Sequence, residues 1–218
     1  MRTGGRVRGE GVKRQEILAA ATARFGRDGY ESTKWADIAA DVGVGATALY
    51  HYFESKQHCL YMIMDEAIED FRRRFTEITE DHTDPVEALV AVLQDCFDLS
   101  DLEVQRNRLL VAEQGLLAGP RASPREEQAR QAARSRSRDL EFAWASFLSG
   151  AMRQGAIPQD DPRLLARAIL GLYNSIWQWY RPNGIVALRR VAEFFIGRIL
   201  AMIGIPPEPG PRGRRSPR

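Results

Sequence analysis

The sequence has few of the residues on which disulfide-stabilised and metal-binding proteins depend. Only two of its 218 residues are cysteines, Cys59 and Cys96, and they do not form a Cys-x-x-Cys pair. We therefore expect no disulfide scaffold, and we expect the chain to work in a reducing cytoplasm. His51, His58 and Cys59 lack the spacing of a known zinc module, so neither a metal site nor a cofactor is expected.

Long hydrophobic runs are missing as well. No apolar stretch approaches the roughly 18 residues that a membrane span needs, and the basic, glycine-rich start does not have the pattern of a signal peptide. The sequence also contains no phosphate-binding glycine loop and no recognisable pairing of a nucleophile with a base. We therefore expect neither a membrane partner nor an enzyme.

Charge is unevenly distributed along the chain. Residues 1–14 contain five basic residues and one acidic residue, and residues 208–218 contain four arginines and one glutamate, whereas the whole chain has a net charge of +2. The part between the two ends is therefore acidic. We expect residues 1–11 to be a disordered basic arm and residues 206–218 a disordered Pro/Arg-rich tail, because such compositions bury too little apolar surface to order the chain. The arm either contacts nucleic-acid phosphates or stays solvated.

The most informative helical pattern lies between Thr33 and Lys56. Its apolar residues are spaced for two short helices that fold against each other. Ala39 is small enough to let the second helix approach, and Gly43 can take the positive φ that a tight turn needs. This is the pattern of a helix-turn-helix, whose second helix enters the DNA major groove. The expected shared core consists of Ile38, Val42, Val44, Leu49 and Tyr52.

This segment and its flanks resemble the N-terminal domain of TetR-family repressors. The resemblance runs without gaps from about Ile17 to Leu60, and it implies an all-α fold. It further implies a three-helix DNA-binding domain over residues 12–58 and a helical ligand-binding and dimerisation domain over residues 59–205. The matching residues are Phe25-x3-Gly29-Tyr30, Thr33, Ile38-Ala39, Gly43-Val44, Leu49-Tyr50-x-Tyr52-Phe53 and Ser55-Lys56.

Three of the predicted DNA-contacting residues follow from their places near helix starts. Thr33 is the expected N-cap of the second helix, and Lys34 after it either reaches a phosphate or is solvated. Gly45 is expected to begin the third helix. Thr47 then places a methyl and a hydroxyl group on the groove side, where they can contact a thymine methyl or a base edge.

The resemblance implies three further DNA contacts. Tyr50 and His51 are expected to approach the DNA backbone or bases, and Lys56 is expected to bind a phosphate after the Ser55 cap of the fourth helix. Two alternatives stay open, since Tyr50 also suits the edge of a core and His51 also suits a solvent-exposed position.

Caps and breakers divide the rest of the chain into helices. Cys96 is expected to be a small core residue of the fifth helix. The expected helices are about Val12–Arg27, about Ser55–Glu80, one from Asp84-Pro85, about Leu102–Leu117, one from Ser123-Pro124 to Gly155, one from Asp161-Pro162 and about Ile185–Ile203.

The last two helices are the most apolar of the chain. They carry more apolar surface than one chain's core needs, and Phe194 is part of that excess. The resemblance implies a four-helix bundle across a two-fold axis, which would set two recognition helices about 34–36 Å apart on a palindrome. The predicted dimerisation residues are Ile169, Ile176, Leu188, Val191, Phe195 and Ile199.

The segment Trp177-x-Trp179-Tyr180-Arg181-Pro182-x-Gly184 resembles the WYRPxG segment of TetR-family members that sense acyl-CoA thioesters. Alternatively, its proline and glycine only turn the chain and its aromatic residues pack an interface. The basic run of Arg130, Arg134, Arg136 and Arg138 either assists with phosphates or is a solvated face. Helical phase gives these candidates for an apolar cavity wall: Phe97, Leu110, Leu116, Phe142, Trp144, Phe147, Met152 and Tyr173. The resemblance implies Trp177 and Arg181 as further ligand-binding residues.

Taken together, these patterns predict a homodimeric transcriptional repressor. It would bind a palindromic DNA operator and release it when a small hydrophobic or acyl-CoA ligand binds. Two alternatives belong to other classes of protein: a helical protein or enzyme that binds a lipid thioester, and a structural DNA-binding protein that ignores ligands.

Overall fold

The computed structural model describes residues 4–205, with side chains from Gly11 onward, and all regular secondary structure in this part of the chain is helical. The expectation of an all-α fold is confirmed. The tail at 206–218 and the first three residues of the predicted arm lie outside the described residues. The helices are α1 (Gly4–Asp28), α2 (Trp35–Asp41), α3 (Ala46–Tyr52), α4 (Lys56–Asp81), α5 (Pro85–Asp95), α6 (Asp101–Glu113), α7 (Pro124–Arg153), α8 (Pro162–Trp179) and α9 (Leu188–Met202), with a short 3-10 turn at Gln114–Leu117.

Most helices begin where a polar side chain satisfies free backbone N–H groups. Ser55 accepts a hydrogen bond from the backbone of His58 at 3.0 Å, and Asp84 and Asp161 cap α5 and α8 ahead of their prolines. Ser100 and Glu103 form a reciprocal capping box at the start of α6. Ser123 caps α7 ahead of Pro124 by accepting a hydrogen bond from the backbone of Glu126. The predicted starts at the Asp-Pro and Ser-Pro pairs are therefore confirmed.

Two predicted helix starts near the N-terminus are wrong. Helix α1 begins at Gly4 instead of near Val12, because a helix that is already nucleated gains one hydrogen bond for each residue added. At α2 the N-cap position belongs to Lys34, whose side chain makes no capping hydrogen bond. Thr33 instead donates its hydroxyl back to the carbonyl of Gly29 at 2.8 Å, so it stabilises the turn between α1 and α2.

Two later boundaries also differ from the predicted ones. The helix expected to reach Leu117 ends at Glu113 and continues as the 3-10 turn, and the last helix begins at Leu188 instead of Ile185. Ile185 and Val186 are exposed in the turn before α9. Since that turn follows Pro182 and Gly184, the apolar character of the two residues does not extend the helix backwards.

Two cores share the long helix α4. Its first half contributes Leu60 and Met64 to a core built around α1 to α3, and Phe75 further along belongs to a second core with α5, α7, α8 and α9. At 1.5 Å per residue the 26 residues of α4 span about 39 Å. Leu109 of α6 and Ala133 of α7 also pack into the first core. The packing is therefore continuous across the predicted domain boundary at residues 58/59, and that boundary stays a prediction.

Both cysteines lie inside these cores. Cys59 and Cys96 are unpaired and buried, and burial raises the pKa of each thiol. The interpretation of Cys96 as a small core residue is confirmed. Within residues 4–205 no helix is both long and apolar enough to cross a membrane.

Candidate DNA-binding surface and ligand cavity

Helices α2 and α3 form the predicted helix-turn-helix. Gly43 has a φ of +67°, and the backbone N–H of Val44 donates to the carbonyl of Ala39 at 3.0 Å across the turn. Ile38 and Leu49 are fully buried between the helices. The expectation for the turn glycine is therefore confirmed, and the packing fixes which face of α3 points outward.

The outward face of α3 carries the residues predicted to read DNA. Gly45 is the N-cap of α3 with an extended backbone, Thr47 and His51 are exposed, and 55% of the Tyr50 surface is accessible. Lys34 is also exposed, at the start of α2. These five residues are placed as a DNA-contacting surface requires, and their contacts with DNA stay a prediction.

Trp35 supports this surface, although its role was not recognised from the sequence. Its ring lies edge-on to both Tyr50 and Phe53, with centroids 6.4 Å apart in each case. Phe53 is fully buried, so Trp35 connects the exposed Tyr50 ring to the core. The available signal was a large aromatic residue at the first position of a helix that packs against α3.

Lys56 has a different place from the one predicted. Its ammonium group donates to the carbonyls of Tyr30, Thr33 and Glu31 at 2.7, 3.2 and 3.3 Å and lies 4.3 Å from the centre of the Tyr30 ring. An ammonium group has three hydrogens, so all of them have acceptors. Lys56 therefore fixes the turn between α1 and α2, which corrects the prediction that it projects as a phosphate ligand.

An ion pair and a hydrogen bond to the backbone hold α1 against the helix-turn-helix. The Arg24 guanidinium donates to both carboxylate oxygens of Asp41 at 2.5 and 2.7 Å, and this pairing holds the pKa of Asp41 below its ordinary value. Lys13 donates to the carbonyl of Val42 at 2.7 Å, at the end of α2. Both contacts orient α2 and α3 relative to α1.

A cavity of about 760 Å³ lies between α4, α6, α7 and α8. Much of its wall is apolar, and the 3-10 turn after α6 contributes Gln114, Gly115 and Leu117 to it. Volumes of about 300–1,000 Å³ are usual for sites that bind small molecules. Apolar residues of the wall include Met64, Phe71, Leu110, Val111, Leu140 and Trp177.

Hydrogen bonds fix one part of the cavity wall. The Tyr173 hydroxyl accepts from the side-chain amide of Asn107 at 3.1 Å and donates to the carbonyl of Cys96 at 3.0 Å. Burial raises the pKa of Tyr173 well above its ordinary value, so the hydroxyl stays neutral. Tyr173 and Asn107 both line the cavity and join α8 to α6 there.

Three of the residues predicted to bind a ligand line this cavity: Leu110, Tyr173 and Trp177. For Phe142 the predicted place is wrong, because 67% of its surface is exposed on α7. Leu116 packs against the first core instead, beside the DNA-binding helices.

The remaining apolar candidates pack into the second core. Phe97, Trp144 and Met152 are buried there, and the rings of Phe147 and Trp144 lie 5.8 and 4.8 Å from that of Phe75. Their predicted place in a cavity wall is corrected to a place in the core. Helical spacing identified their apolar faces but not which neighbouring helix each face meets.

The basic run on α7 divides into paired and unpaired arginines. Arg130 is only 5% exposed and donates twice to Glu127, at 2.6 and 2.8 Å, while Arg136 pairs with carboxylates of α4. Arg134 and Arg138 line the cavity instead. Within residues 11–205 no carboxylate lies within salt-bridge distance of either one.

The aromatic segment after the cavity separates into buried and exposed residues. Trp177 and Tyr180 are buried, whereas 49% of the Trp179 surface is accessible. Arg181 is exposed and donates to the carbonyls of Tyr180 and Gln178 at 2.9 and 3.3 Å. The segment thus contributes Trp177 to the cavity and Trp179 to the outer surface.

Four of the predicted dimerisation residues are buried within one chain. Ile169, Ile176, Val191 and Ile199 are at most 3% exposed, so their predicted role in contacting a second subunit is wrong. The stripe with the best helical spacing faces inward, against the second core. Leu188 and Phe195 are partly buried at its edge. The exposed apolar side chains of α8, α9 and the intervening turn are Leu164, Trp179, Ile185, Val186, Phe194 and Met202.

The segment between α6 and α7 touches the cavity and the base of α4. The Tyr61 hydroxyl donates to the carbonyl of Leu116 at 3.0 Å and accepts from Arg121 Nε at 2.5 Å. The Ser123 hydroxyl donates to Glu54 at 2.6 Å, just before α4. These hydrogen bonds connect the cavity wall near Leu117 to the start of α4 and to the turn after α3, so a displacement of that wall would shift both.

Family models match most of the chain. Residues 17–61 match the model described as bacterial regulatory proteins, tetR family, and residues 82–203 match the tetracyclin repressor-like C-terminal domain. The first match covers the helix-turn-helix, and the second covers α5 to α9.

Relatives that match two thirds or more of the chain are transcriptional regulators by name. The transcriptional repressor KstR2 of Rhodococcus jostii is 27% identical over 205 residues, 91% of this chain and 94% of that protein. The regulator LmrA of Bacillus subtilis is 32% identical over 165 residues, 67% and 85% of the two chains. The crystal structure of AibR in complex with isovaleryl coenzyme A and operator DNA has a TM-score of 0.70 and 25% identity, and it covers 89% of this chain and 99% of that one.

Proposed function

Because the chain belongs to the TetR family of bacterial regulatory proteins, we propose that it is a homodimeric repressor that an acyl-CoA thioester releases from its operator. The cavity of about 760 Å³ is the observation that carries this proposal. Its apolar wall suits an acyl chain, and its unpaired Arg134 and Arg138 suit phosphate groups, which guanidinium groups bind in two-point contacts.

The name of one relative supports the repressor role, and the description of one similar structure supports the ligand class. KstR2 is a named repressor, and AibR was crystallised with both isovaleryl coenzyme A and operator DNA. A protein that binds a bacterial operator acts in the cytoplasm, where the chromosome lies. We assign Lys34 to a phosphate, Thr47 to base edges and Tyr50 with His51 to the backbone or bases of the operator.

Release of DNA requires that the ligand favour a conformation with the wrong spacing between recognition helices. Two such helices must lie about 34–36 Å apart to read successive major grooves of a palindrome. A ligand among α4, α6, α7 and α8 contacts α4 directly, and α4 continues from the helix-turn-helix. A coupling free energy of about 1–3 kcal/mol, usual between two such sites, weakens operator binding about 5- to 150-fold.

The test begins with selection of operator sequences from a random DNA pool, for which a palindromic consensus is expected. Fluorescence anisotropy then measures operator affinity with octanoyl-CoA or octanoate added. Octanoyl-CoA is expected to weaken binding and octanoate to leave it unchanged. Two results would contradict the proposal: selected DNA without a palindromic consensus, or an operator affinity that no member of a series of acyl-CoA esters changes.

A variant that fills the cavity separates ligand response from DNA binding. Leu110→Trp adds a large ring to the cavity wall, so it is expected to retain operator binding and to lose the response to octanoyl-CoA. Phe142→Trp is the matched control, because Phe142 lies on the exposed surface of α7. The control is expected to respond as the unaltered protein does.

A further inference from the structure

The starts of α4 and α7 exchange hydrogen bonds. The Ser123 hydroxyl, which caps α7, donates to Glu54 at 2.6 Å, and Glu54 lies in the turn that joins α3 to α4. In the other direction the Ser55 hydroxyl, which caps α4, donates to Glu126 in the first turn of α7. We call these two hydrogen bonds the cap exchange. They connect the turn after the recognition helix to α7 across 69 and 71 residues of the chain.

The carboxylate of Glu126 contacts another helix where a local contact is usual. Ser123 and Glu126 have the spacing of a capping box, in which the glutamate accepts from the backbone of the capping serine. Ser100 and Glu103 make both bonds of such a box at the start of α6. At α7 the backbone of Glu126 donates to Ser123 at 3.4 Å, but its carboxylate accepts from Ser55. Glu126 therefore stabilises the position of α7 relative to α4.

His58 holds the α4 side of the cap exchange in place. Its backbone N–H donates to the Ser55 hydroxyl at 3.0 Å, and its ring Nδ1 accepts from the backbone N–H of Glu54 at 3.1 Å. Burial, followed by the positive charge of Arg125, lowers the pKa of His58, so the ring stays neutral and keeps this acceptor. Because both Glu54 and Ser55 are fixed in this way, a movement of α7 would also move the turn after α3.

Helix α7 is connected to the cavity wall at two places. Leu117 and Arg134 both line the cavity. The carbonyl of Leu117 accepts from Arg130 at 2.7 Å, and Arg130 donates twice to Glu127, the residue after Glu126. Arg134 lies about two helical turns after Glu126 in the same 30-residue helix. A ligand that displaces either wall residue would therefore displace the first turns of α7, because a helix moves largely as a rigid element.

We infer that the cap exchange transmits ligand binding from the cavity to the recognition helix through α7, in addition to the continuous helix α4. Glu54 and Glu126 are positioning residues in this arrangement, since they act through the turn after α3 and through α7. They determine how strongly the ligand changes operator affinity. The inference rests on the proposed function, because it assigns residues to the regulation of the same site.

The test measures the operator affinity of Glu126→Ala by fluorescence anisotropy, with and without saturating octanoyl-CoA. For the unaltered protein, octanoyl-CoA is expected to raise the operator dissociation constant about 5- to 150-fold. For Glu126→Ala this ratio is expected to fall close to 1, while operator alone and octanoyl-CoA alone bind about as tightly as they bind the unaltered protein. Coupling between two sites is reciprocal, so calorimetry should show equal octanoyl-CoA affinity for free and operator-bound Glu126→Ala.

Glu87→Ala is the matched control. Glu87, like Glu126, is the third residue of a helix that begins with a proline after a capping side chain, and it is exposed. Its removal takes the same charge from the start of α5 and is expected to leave the ratio unchanged. Two further variants test the contact itself. Glu126→Gln keeps an oxygen that can accept from Ser55, so it is expected to retain part of the ratio, whereas Glu54→Ala removes the other bond and is expected to lower it.

Two outcomes overturn the inference and leave the proposed function intact. An unchanged ratio in Glu126→Ala would show that the response reaches the DNA-binding helices without the cap exchange. Loss of operator binding by Glu126→Ala without ligand, with Glu87→Ala unaffected, would show that Glu126 only maintains the fold. A third outcome is distinct from both: if no acyl-CoA ester changes the operator affinity of the unaltered protein, the proposed function fails, and the inference fails with it.

Discussion

Gly26 places α1 unusually close to α6, and replacing it with alanine tests this contact. A Cβ atom added at Gly26 would lie 2.7 Å from Cβ of Gln105 and 3.4 Å from its Cα. Carbon atoms pack best about 3.5–4.0 Å apart, so the two helices must separate. Overpacking of this kind costs about 1–3 kcal/mol, whereas alanine improves helix propensity over glycine by about 1 kcal/mol. We therefore expect Gly26→Ala to lower the free energy of unfolding by up to about 2 kcal/mol.

Gly11→Ala is the matched control in the same helix. A Cβ atom at Gly11 meets nothing within 4 Å, so this variant gains helix propensity without a clash. The two free energies of unfolding should then differ by about 1–3 kcal/mol, the overpacking cost alone. Urea titration followed by circular dichroism measures both, at one protein concentration because dimer stability depends on it.

The double variant Gly26→Ala with Gln105→Gly identifies the contact that causes the loss. Removing the side chain of Gln105 eliminates the Cβ atom at 2.7 Å, so the double variant should be more stable than the sum of the single effects predicts. Additive effects, or a Gly26→Ala protein as stable as Gly11→Ala, would refute the close approach of α1 and α6.

Three other regions of the chain give direct predictions. Lys56→Met should lower the melting temperature, because it leaves the carbonyls of the α1–α2 turn without their donor. Lys34→Met should leave the melting temperature unchanged, weaken binding to all DNA sequences and reduce the salt dependence of that binding. Equal melting temperatures of the two variants would contradict the role of Lys56 in the turn. Phe194→Glu should convert the dimer to a monomer, as measured by light scattering. The control Phe142→Glu, which changes another exposed phenylalanine, should remain a dimer. A dimeric Phe194→Glu protein would place the interface elsewhere. A hydrogen bond from Arg130 lowers the pKa of Glu127 to about 2, so its contribution to stability is present above pH 4.5 and declines as the pH falls toward 2. Between pH 4.5 and 2, the free energy of unfolding of Glu127→Gln, measured by circular dichroism, should therefore fall less than that of the unaltered protein. An identical fall in both proteins would show that Glu127 does not contribute to the pH dependence of stability.

Local chemistry made the side-chain-capped helix starts and the recognition turn predictable from the sequence. Ser55, Asp84 and Asp161 cap helices through atoms two or three residues away, and Gly43 needs only its own φ. Such interactions involve only residues that are close in the sequence, so a local sequence pattern is enough to predict them. The exposed position of Thr47 follows equally, because the buried Leu49 fixes the opposite face of a two-turn helix.

The dimer surface and the cavity wall were less predictable, because both depend on which faces of several helices meet. Ile176 and Val191 continue a well-spaced apolar stripe that packs inside one chain, while Phe194 lies off that stripe and is exposed. Periodicity cannot rank two apolar faces of the same helix. The contacts of a charged side chain are equally hard to predict: the acceptors of Lys56 lie 23 to 26 residues earlier in the chain, so no local pattern indicates them.

The cavity shares residues with the core of the DNA-binding helices, which gives the proposed ligand a short path to the proposed operator surface. Met64 lines the cavity and also packs into the core of the DNA-binding helices, and Leu117 of the 3-10 turn does both as well. Protein interiors are close-packed, so a ligand that moves either residue must also move its neighbours in that core. The hydrogen bond between Tyr61 and Leu116 adds a directional contact at the same place. Under the proposed function, the ligand cavity and the operator-binding helices would be coupled through these shared residues, and the size of the effect would depend on how differently the ligand binds the two arrangements of α4.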